Sequence, residues 1–280
     1  MFAAVQYGCV DNVATIAIDY PPVNALSTAV RSGLLGAFRL ARDDSDARAI
    51  ILTGKGKGFC AGGDIREFGT PSVAAPPGLS MQVHPFIESM NKPVIAAIHG
   101  LAIGGGLETA LVCHYRVVEA DARIGLPEVG LGTIPLSGTQ RMPRAVGLIR
   151  AIGMILSASL APASSFAGTA LFDRIVEPGQ ALDAAMQLAH ALVERNDLSL
   201  PLIRHRAVSH RHATRVLAHA RAALADGPTA HAAVQALEAI AASVASDDFD
   251  TGMQKARALY DTLMASDEVR IQRERFFNRS

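Results

Sequence analysis

The sequence predicts an α/β fold with covered sheets, followed by a region of helices alone. Three observations carry this. Short β-branched apolar runs alternate with longer segments of helical spacing over the first two thirds of the chain. Beyond about residue 178 only Ala- and Leu-rich helical spacing remains. Half of the 280 residues are apolar, enough to bury one large core with a helical extension. We place the core in residues 1–198 and the helical region in residues 199–280.

Val13 to Asp19 alternates and is β-branched until Pro21-Pro22 stops it, so it reads as a strand feeding a loop that contains Asn24 to Leu26. From Ser27, an N-cap residue type, apolar residues at Val30, Leu34, Ala37, Phe38 and Ala41 fall on one helix face, and Arg42-Asp43-Asp44 closes the helix. Ala49 to Thr53, Pro93 to Ile98, Arg116 to Val118 and Ile175-Val176 read as strands. Helices are expected around Leu107 to Cys113 and Ala145 to Leu156, then at Ala181 to Arg195, Thr214 to Ala225, Thr229 to Ala245 and Phe249 to Ala265. The Ser/Ala/Pro/Gly stretch from Gly69 to Ser80 reads as a mobile loop.

Lys plus Arg and Asp plus Glu number 26 each, so no global field favours nucleic acid or an anionic membrane, and a small-molecule substrate is expected. Cys9, Cys60 and Cys113 are odd in number, far apart and form no CxxC pair, which points away from a disulfide framework or thiolate zinc site and towards a reducing, cytoplasmic compartment. No basic region precedes an apolar block at the N-terminus, so no secretory signal is expected. The longest apolar stretch, Val94 to Val112, is interrupted by His99, three consecutive glycines and Glu108, and no membrane span is expected.

Thr53-Gly54-Lys55-Gly56-Lys57-Gly58-Phe59 lacks the phosphate-loop pattern GxxxxGK followed by Ser or Thr, and Gly104-Gly105-Gly106 lacks GxGxxG. The lysines of the first turn remain candidates for a ligand phosphate. In Ala61-Gly62-Gly63-Asp64, bare backbone brings an N–H within hydrogen-bonding reach of a ligand oxygen, and Gly63 is the first candidate oxyanion donor. An ordinary turn into a helix, capped by Asp64, fits the same residues. Three glycines at a helix start cost about 1 kcal/mol each against alanine, which close ligand approach or tight helix packing would explain. Glu108 follows in the first helical turn, where it also suits the helix dipole. Glu128 stands in Gly125-Leu126-Pro127-Glu128-Val129, an apolar setting in which a carboxyl needs a partner or a raised pKa.

Taken in order, Pro22-Val23-Asn24-Ala25-Leu26, Gly58-Phe59-Cys60-Ala61-Gly62-Gly63-Asp64-Ile65, His99-Gly100-Leu101-Ala102-Ile103-Gly104-Gly105-Gly106-Leu107-Glu108, Gly125-Leu126-Pro127-Glu128 and Thr139-Gln140-Arg141 resemble the enoyl-CoA hydratase/isomerase (crotonase) superfamily. Each motif alone is weak, but five in this order and spacing are specific. Cys113-His114-Tyr115-Arg116 and the helical tail to Arg275 look most like the hydratase/isomerase portion of multifunctional β-oxidation enzymes, without their dehydrogenase portion.

The resemblance implies a crotonase-type spiral of β-β-α units with a C-terminal helical layer, assembled as a trimer or a dimer of trimers and acting on acyl-CoA thioesters. Gly63 and Gly105 match the oxyanion donors. Asn24, Ala25, Ala61, Gly62, Asp64 and Ile65 match the strip that receives CoA and the thioester. Glu108 and Glu128 match the hydratase pair, the first activating water for attack at C3 and the second delivering a proton to C2. The implied reaction is syn hydration of trans-2-enoyl-CoA to 3-hydroxyacyl-CoA. The alternatives are 3-enoyl to 2-enoyl isomerisation and a non-catalytic acyl-CoA binding subunit. Coenzyme A enters as part of the substrate, and no other cofactor, metal or membrane is expected.

Two departures from the family pattern stand out. Pro135-Leu136-Ser137-Gly138-Thr139 is one residue shorter than the usual Pro-Gly-x-Gly-Gly-Thr, and Ala170 stands where a glycine is common. Of the remaining features, Arg204-His205-Arg206, His210-Arg211-His212 and Arg215 read as solvated helix ends rather than an RNA site, and Phe276-Phe277 as core.

Overall fold

The computed structural model describes residues 3–278 other than 69, 196–199, 210, 225 and 247. In chain order the elements are β1 (Val5–Val10), β2 (Val13–Ile18), α1 (Thr28–Asp43), β3 (Ala49–Gly54), α2 (His84–Glu88), β4 (Val94–Ile98), β5 (Leu101–Ile103), α3 (Gly105–Leu111), β6 (Tyr115–Glu119) and β7 (Arg123–Gly125). They continue with α4 (Gly138–Val146), α5 (Leu148–Ser157), β8 (Ala161–Pro162), β9 (Arg174–Val176), α6 (Ala181–Glu194), α7 (Ala213–Ala222), α8 (Ala230–Ala245), α9 (Phe249–Met264) and α10 (Asp267–Phe277). Two compact units result, Met1–Ile124 with Ala161–Leu202 and Gly125–Leu160 with Ile203–Ser280. The sequence division after residue 198 runs close to the junction at 202; residues 125–160, which it assigns to the core, group with the C-terminal helices.

In the first unit β1 and β2 pair through a two-residue turn, Asp11-Asn12, with both φ positive, and the sheet runs on in parallel as β2-β3-β4-β6-β9. Val13, Ala49, Ile51, Ile95, Ala97 and Val117 form one face and bury Ala185, Ala189 and Leu192 of α6. The alternate residues Ile16, Ile18, Ile50, Leu52, Ala96 and Ile98 are buried as well, so both faces are covered. α1 begins where expected: Ser27 Oγ accepts from Val30 N at 3.4 Å, and Val30, Leu34, Ala37, Phe38 and Ala41 are buried. A second, three-stranded sheet has the order β5-β7-β8.

The stretch 70–80, expected to be mobile, is built of short turns, Pro71–Ala74 and Leu79–Val83, and hydrogen-bonded to α1 through Arg31. Gly69 itself lies outside the described residues.

His114 opens the way into β6 and is fully buried; its Nδ1 accepts from Val94 N at 2.9 Å, which leaves the proton of the neutral ring on Nε2. Burial, with Arg116 nearby, lowers its pKa to about 4. Between that value and the ordinary range near 6.5 the unfolded chain binds a proton that the native ring refuses, so stability falls as pH falls through this window. Unfolding free energies from urea titrations are expected to drop between pH 6.5 and 4 by up to about 3 kcal/mol from this group alone, and His114→Gln is expected to flatten that part of the slope.

In the second unit the single helix expected over 145–156 is two. Gly147, at φ 82°, ends α4 and starts α5. Gly252 lets α9 close on α4, since a Cβ there would lie 2.2 Å from Gln140 Oε1. The guanidinium groups of Arg141, Arg144 and Arg204 lie 4.7, 5.1 and 4.6 Å from the Phe249 ring centre. Arg204 also pairs with Asp250 at 2.6 Å, so this member of the basic cluster has a structural task. His205, Arg206, Arg211, His212 and Arg215 are exposed, while His210 lies outside the described residues. α10 is an addition to the helices expected; the Phe276 and Phe277 side chains lie outside the described residues. Among the described residues no helix is long and apolar enough to cross a membrane.

Candidate active site

The chain around Cys60 is stitched into the first unit from two sides. Cys60 N donates to Leu101 O at 3.1 Å and Ile103 N to Cys60 O at 3.0 Å, while Ala61 N donates to Val23 O at 3.0 Å and Leu26 N to Gly62 O at 2.8 Å. The strip 60–63 therefore lies between β5 and the loop that precedes α1. Cys60 is wholly buried, donates its thiol to Asn24 O at 3.0 Å and is pushed up to about 12 by burial, which makes it inert packing.

α3 starts directly after β5. Gly104 has φ 55° and ψ −129°, a conformation that side chains exclude, and Gly106 packs so tightly that a Cβ would lie 2.3 Å from Cys60 O. This backbone course brings the two predicted donors together. A Cβ on Gly62 would lie 3.3 Å from Gly105 N, and one on Gly105 would lie 3.7 Å from Gly63 N. Among the described residues neither Gly63 N nor Gly105 N has an acceptor. Their surroundings are apolar: Leu26 Cδ1 and Leu79 Cδ2 stand 3.1 and 3.2 Å from the Cβ position of Gly105, and the Phe68 ring stands 3.2 Å from that of Gly63. The Gly105 carbonyl is fixed by Thr109 Oγ1 at 2.7 Å, which in turn meets His84 Nε2 at 3.1 Å. Glu108 lies one turn along α3 from Gly105, on the same side of the helix, and is only 6% exposed.

The other residues of the predicted strip divide. Ala25, Ala61 and Ile65 are half-buried. Asn24 is buried and spent on backbone: Oδ1 accepts from Tyr20 N at 2.9 Å, and Nδ2 donates to Lys55 O at 2.8 Å and Gly58 O at 2.9 Å. It clamps the loop to the Gly-rich turn. Asp64 takes the capping role that the sequence left open, accepting Arg66 N at 3.0 Å, and its two oxygens also hold the Arg66 guanidinium at 2.8 and 2.7 Å. Arg66 keeps its carboxyl below the usual carboxylate range.

Glu128 belongs to the second unit, where it opens a turn over Glu128–Leu131 and accepts Thr133 N on its carbonyl at 3.1 Å. In the shortened loop Thr139 Oγ1 donates to Leu136 O at 2.9 Å; the Ser137 hydroxyl, 1% exposed, has no partner among the described residues. The sequence reading missed Leu26, Phe68 and Leu79 as the wall around the donors, and it missed Arg31. The available signal for Arg31 was a cation directly beside the apolar stripe of α1.

Residues 9–244 match the family described as Enoyl-CoA hydratase/isomerase. Over 190 residues the chain is 42% identical to a peroxisomal fatty acid beta-oxidation multifunctional protein of Arabidopsis thaliana, covering 66% of this chain and 26% of that protein. It is 45% identical over 148 residues to a probable enoyl-CoA hydratase of Bacillus subtilis (strain 168), covering 51% of this chain and 57% of the relative. The alignments thus span about a quarter of the multifunctional relatives. A solved structure of an enoyl-CoA hydratase from Bacillus anthracis superposes with a TM-score of 0.63 at 26% identity, over 94% of this chain and 92% of that one. The α/β architecture with its C-terminal helices is accordingly the crotonase fold, and the chain belongs to the enoyl-CoA hydratase/isomerase family.

Proposed function

We propose that the chain is an enoyl-CoA hydratase, adding water syn across the C2=C3 bond of trans-2-enoyl-CoA thioesters to give 3-hydroxyacyl-CoA. The observation that carries this is the convergence of Gly63 N and Gly105 N, both without an acceptor among the described residues, with Leu26, Phe68 and Leu79 beside them. A thioester carbonyl accepting from both gains little as a ketone-like oxygen and much as an enolate, because the charge develops on that oxygen; each such donor is worth about 10²- to 10³-fold in rate.

Glu108 takes a proton from water as its oxygen bonds to C3, the C2=C3 pair moves into the enolate, and Glu128 gives its proton to C2 as the enolate collapses. One proton leaves water and one reaches carbon, so the acids need only exchange one proton to return to their starting states. Isomerisation requires one acid, and the presence of both favours hydration. The buried Ser137 hydroxyl supports the same reading, since a polar group so placed needs a water or substrate oxygen. This chemistry needs no cofactor beyond the CoA of the substrate. Assembly as a trimer or dimer of trimers is part of the proposal and is checked by light scattering. So is a cytoplasmic location, on the strength of three free cysteines, although some relatives are named as peroxisomal.

Following the loss of enoyl absorbance on a panel of trans-2-enoyl-CoAs of different chain lengths tests the proposal. The wild type is expected to hydrate members of the panel, and no hydration of any member would remove the functional reading.

A further inference from the structure

Arg31 carries a charge where α1 faces the protein. It is 6% exposed, and its whole fork is engaged: Nε donates to Pro77 O at 3.0 Å, Nη1 to Leu26 O and Glu67 Oε2 at 3.0 Å each, and Nη2 to Thr28 Oγ1, Ser72 O and Ala75 O at 3.1, 3.0 and 3.2 Å. Three of these acceptors are carbonyls of one segment, which has no regular ladder of its own to fix it. Glu67, at the head of that segment, also takes the first amide of α1, Thr28 N, at 2.8 Å and the Thr28 hydroxyl at 3.1 Å. The remaining carbonyl belongs to Leu26, whose N–H is already bonded to Gly62 O.

One side chain thus holds residues 67–77 and Leu26 to the start of α1. What these pieces present to the donors is the apolar wall: Leu26 and, on the held segment or directly after it, Phe68 and Leu79. We propose that Arg31 is a positioning residue for the oxyanion site. It sets the wall that stands beside Gly63 and Gly105, and it does so without touching substrate. A planar guanidinium suits the task because its five N–H donors leave in fixed directions toward several acceptors at once; the point charge of lysine cannot reach them together. The inference rests on reading Gly63 and Gly105 as donors.

The test takes Arg31→Ala and Arg31→Lys through three measurements: crotonyl-CoA hydration, hydrogen exchange, and equilibrium binding of the unreactive butyryl-CoA. Amides of residues 67–79 are expected to exchange about tenfold faster or more, while those of β3 and β4 keep their protection. kcat is expected to fall about 10²-fold with KM changed much less, because a displaced wall spoils the transition-state geometry more than it spoils binding of the CoA moiety. Arg31→Lys should not rescue, and millimolar methylguanidinium should restore part of the activity of Arg31→Ala.

kcat within twofold of wild type would overturn the proposal, as would a loss accompanied by equal deprotection of β3 and β4. Should Arg31→Ala fail to fold, Glu67→Gln removes one arm of the clamp. It is expected to give a smaller loss of kcat with faster exchange confined to the same segment, and no change in either would count against the clamp. If the wild type hydrates nothing, the functional reading fails separately. Arg31 is then judged by exchange and butyryl-CoA binding, where an affinity about tenfold weaker supports it and an unchanged one rejects it.

Discussion

Glu128→Gln is expected to lower kcat for crotonyl-CoA hydration by about 10³- to 10⁴-fold, the upper range for removing a general acid. Glutamine keeps the shape of the side chain and loses only the exchangeable carboxyl proton, so the enolate forms with no donor to C2. Butyryl-CoA should bind within about threefold of wild type, because in the proposed site the thioester carbonyl accepts from Gly63 N and Gly105 N and not from this acid. Glu108→Ala should fall less steeply, by about 10²- to 10³-fold, since the remaining site can still admit water without a base to deprotonate it. The two variants also separate hydration from isomerisation. Moving a proton between C2 and C4 needs Glu128 alone, so Glu108→Ala should spare any isomerase activity that Glu128→Gln removes. Near-wild-type turnover of crotonyl-CoA by both variants would end the assignment of this pair.

Elements whose determinants are local were legible in the sequence. α1 is fixed by Ser27 and the Val30, Leu34, Ala37, Phe38, Ala41 spacing, and the buried strands β3 and β4 by unbroken apolar runs. β1 was not seen because its outward residues are mixed, although Asp11-Asn12 marked its turn. The break between α4 and α5 was missed because helical spacing continues through Gly147. In the site, the glycine runs marked where strip 60–63 meets the start of α3: Gly104 is needed for its φ of 55° and Gly106 for its packing on Cys60 O. The tasks of Asn24 and of the 70–80 stretch were hidden because their partners are distant: Lys55 and Gly58 for one, Arg31 for the other. Composition read that stretch as a loop free to move, and a single buried cation far away in sequence reverses the reading.

Gly62→Ala should damage stability and catalysis together, and for one reason. At φ 89° an alanine is strained by about 1–2 kcal/mol, and its Cβ would lie 2.6 Å from Ile103 O, a backbone atom that no rotamer change can move. Relief requires strip 60–63 and β5 to separate, which adds an overpacking cost of about 1–3 kcal/mol. The same movement carries Gly63 N away from Gly105 N, because Gly62 and Gly63 are adjacent peptides and Gly105 begins α3 directly after β5. A shift of about 1 Å between two oxyanion donors is worth about 10²-fold in rate, so kcat/KM should fall by at least that much at a temperature where the variant remains folded. Gly168→Ala supplies the control: φ is 75° there, but nothing lies within 4 Å of the added Cβ, so the strain comes without the clash. It should lower Tm modestly and leave kcat/KM unchanged. Equal kinetic losses in the two variants would mean that left-handed strain alone is being read, and a Gly62→Ala enzyme with wild-type kcat/KM would show that the donors do not depend on this contact.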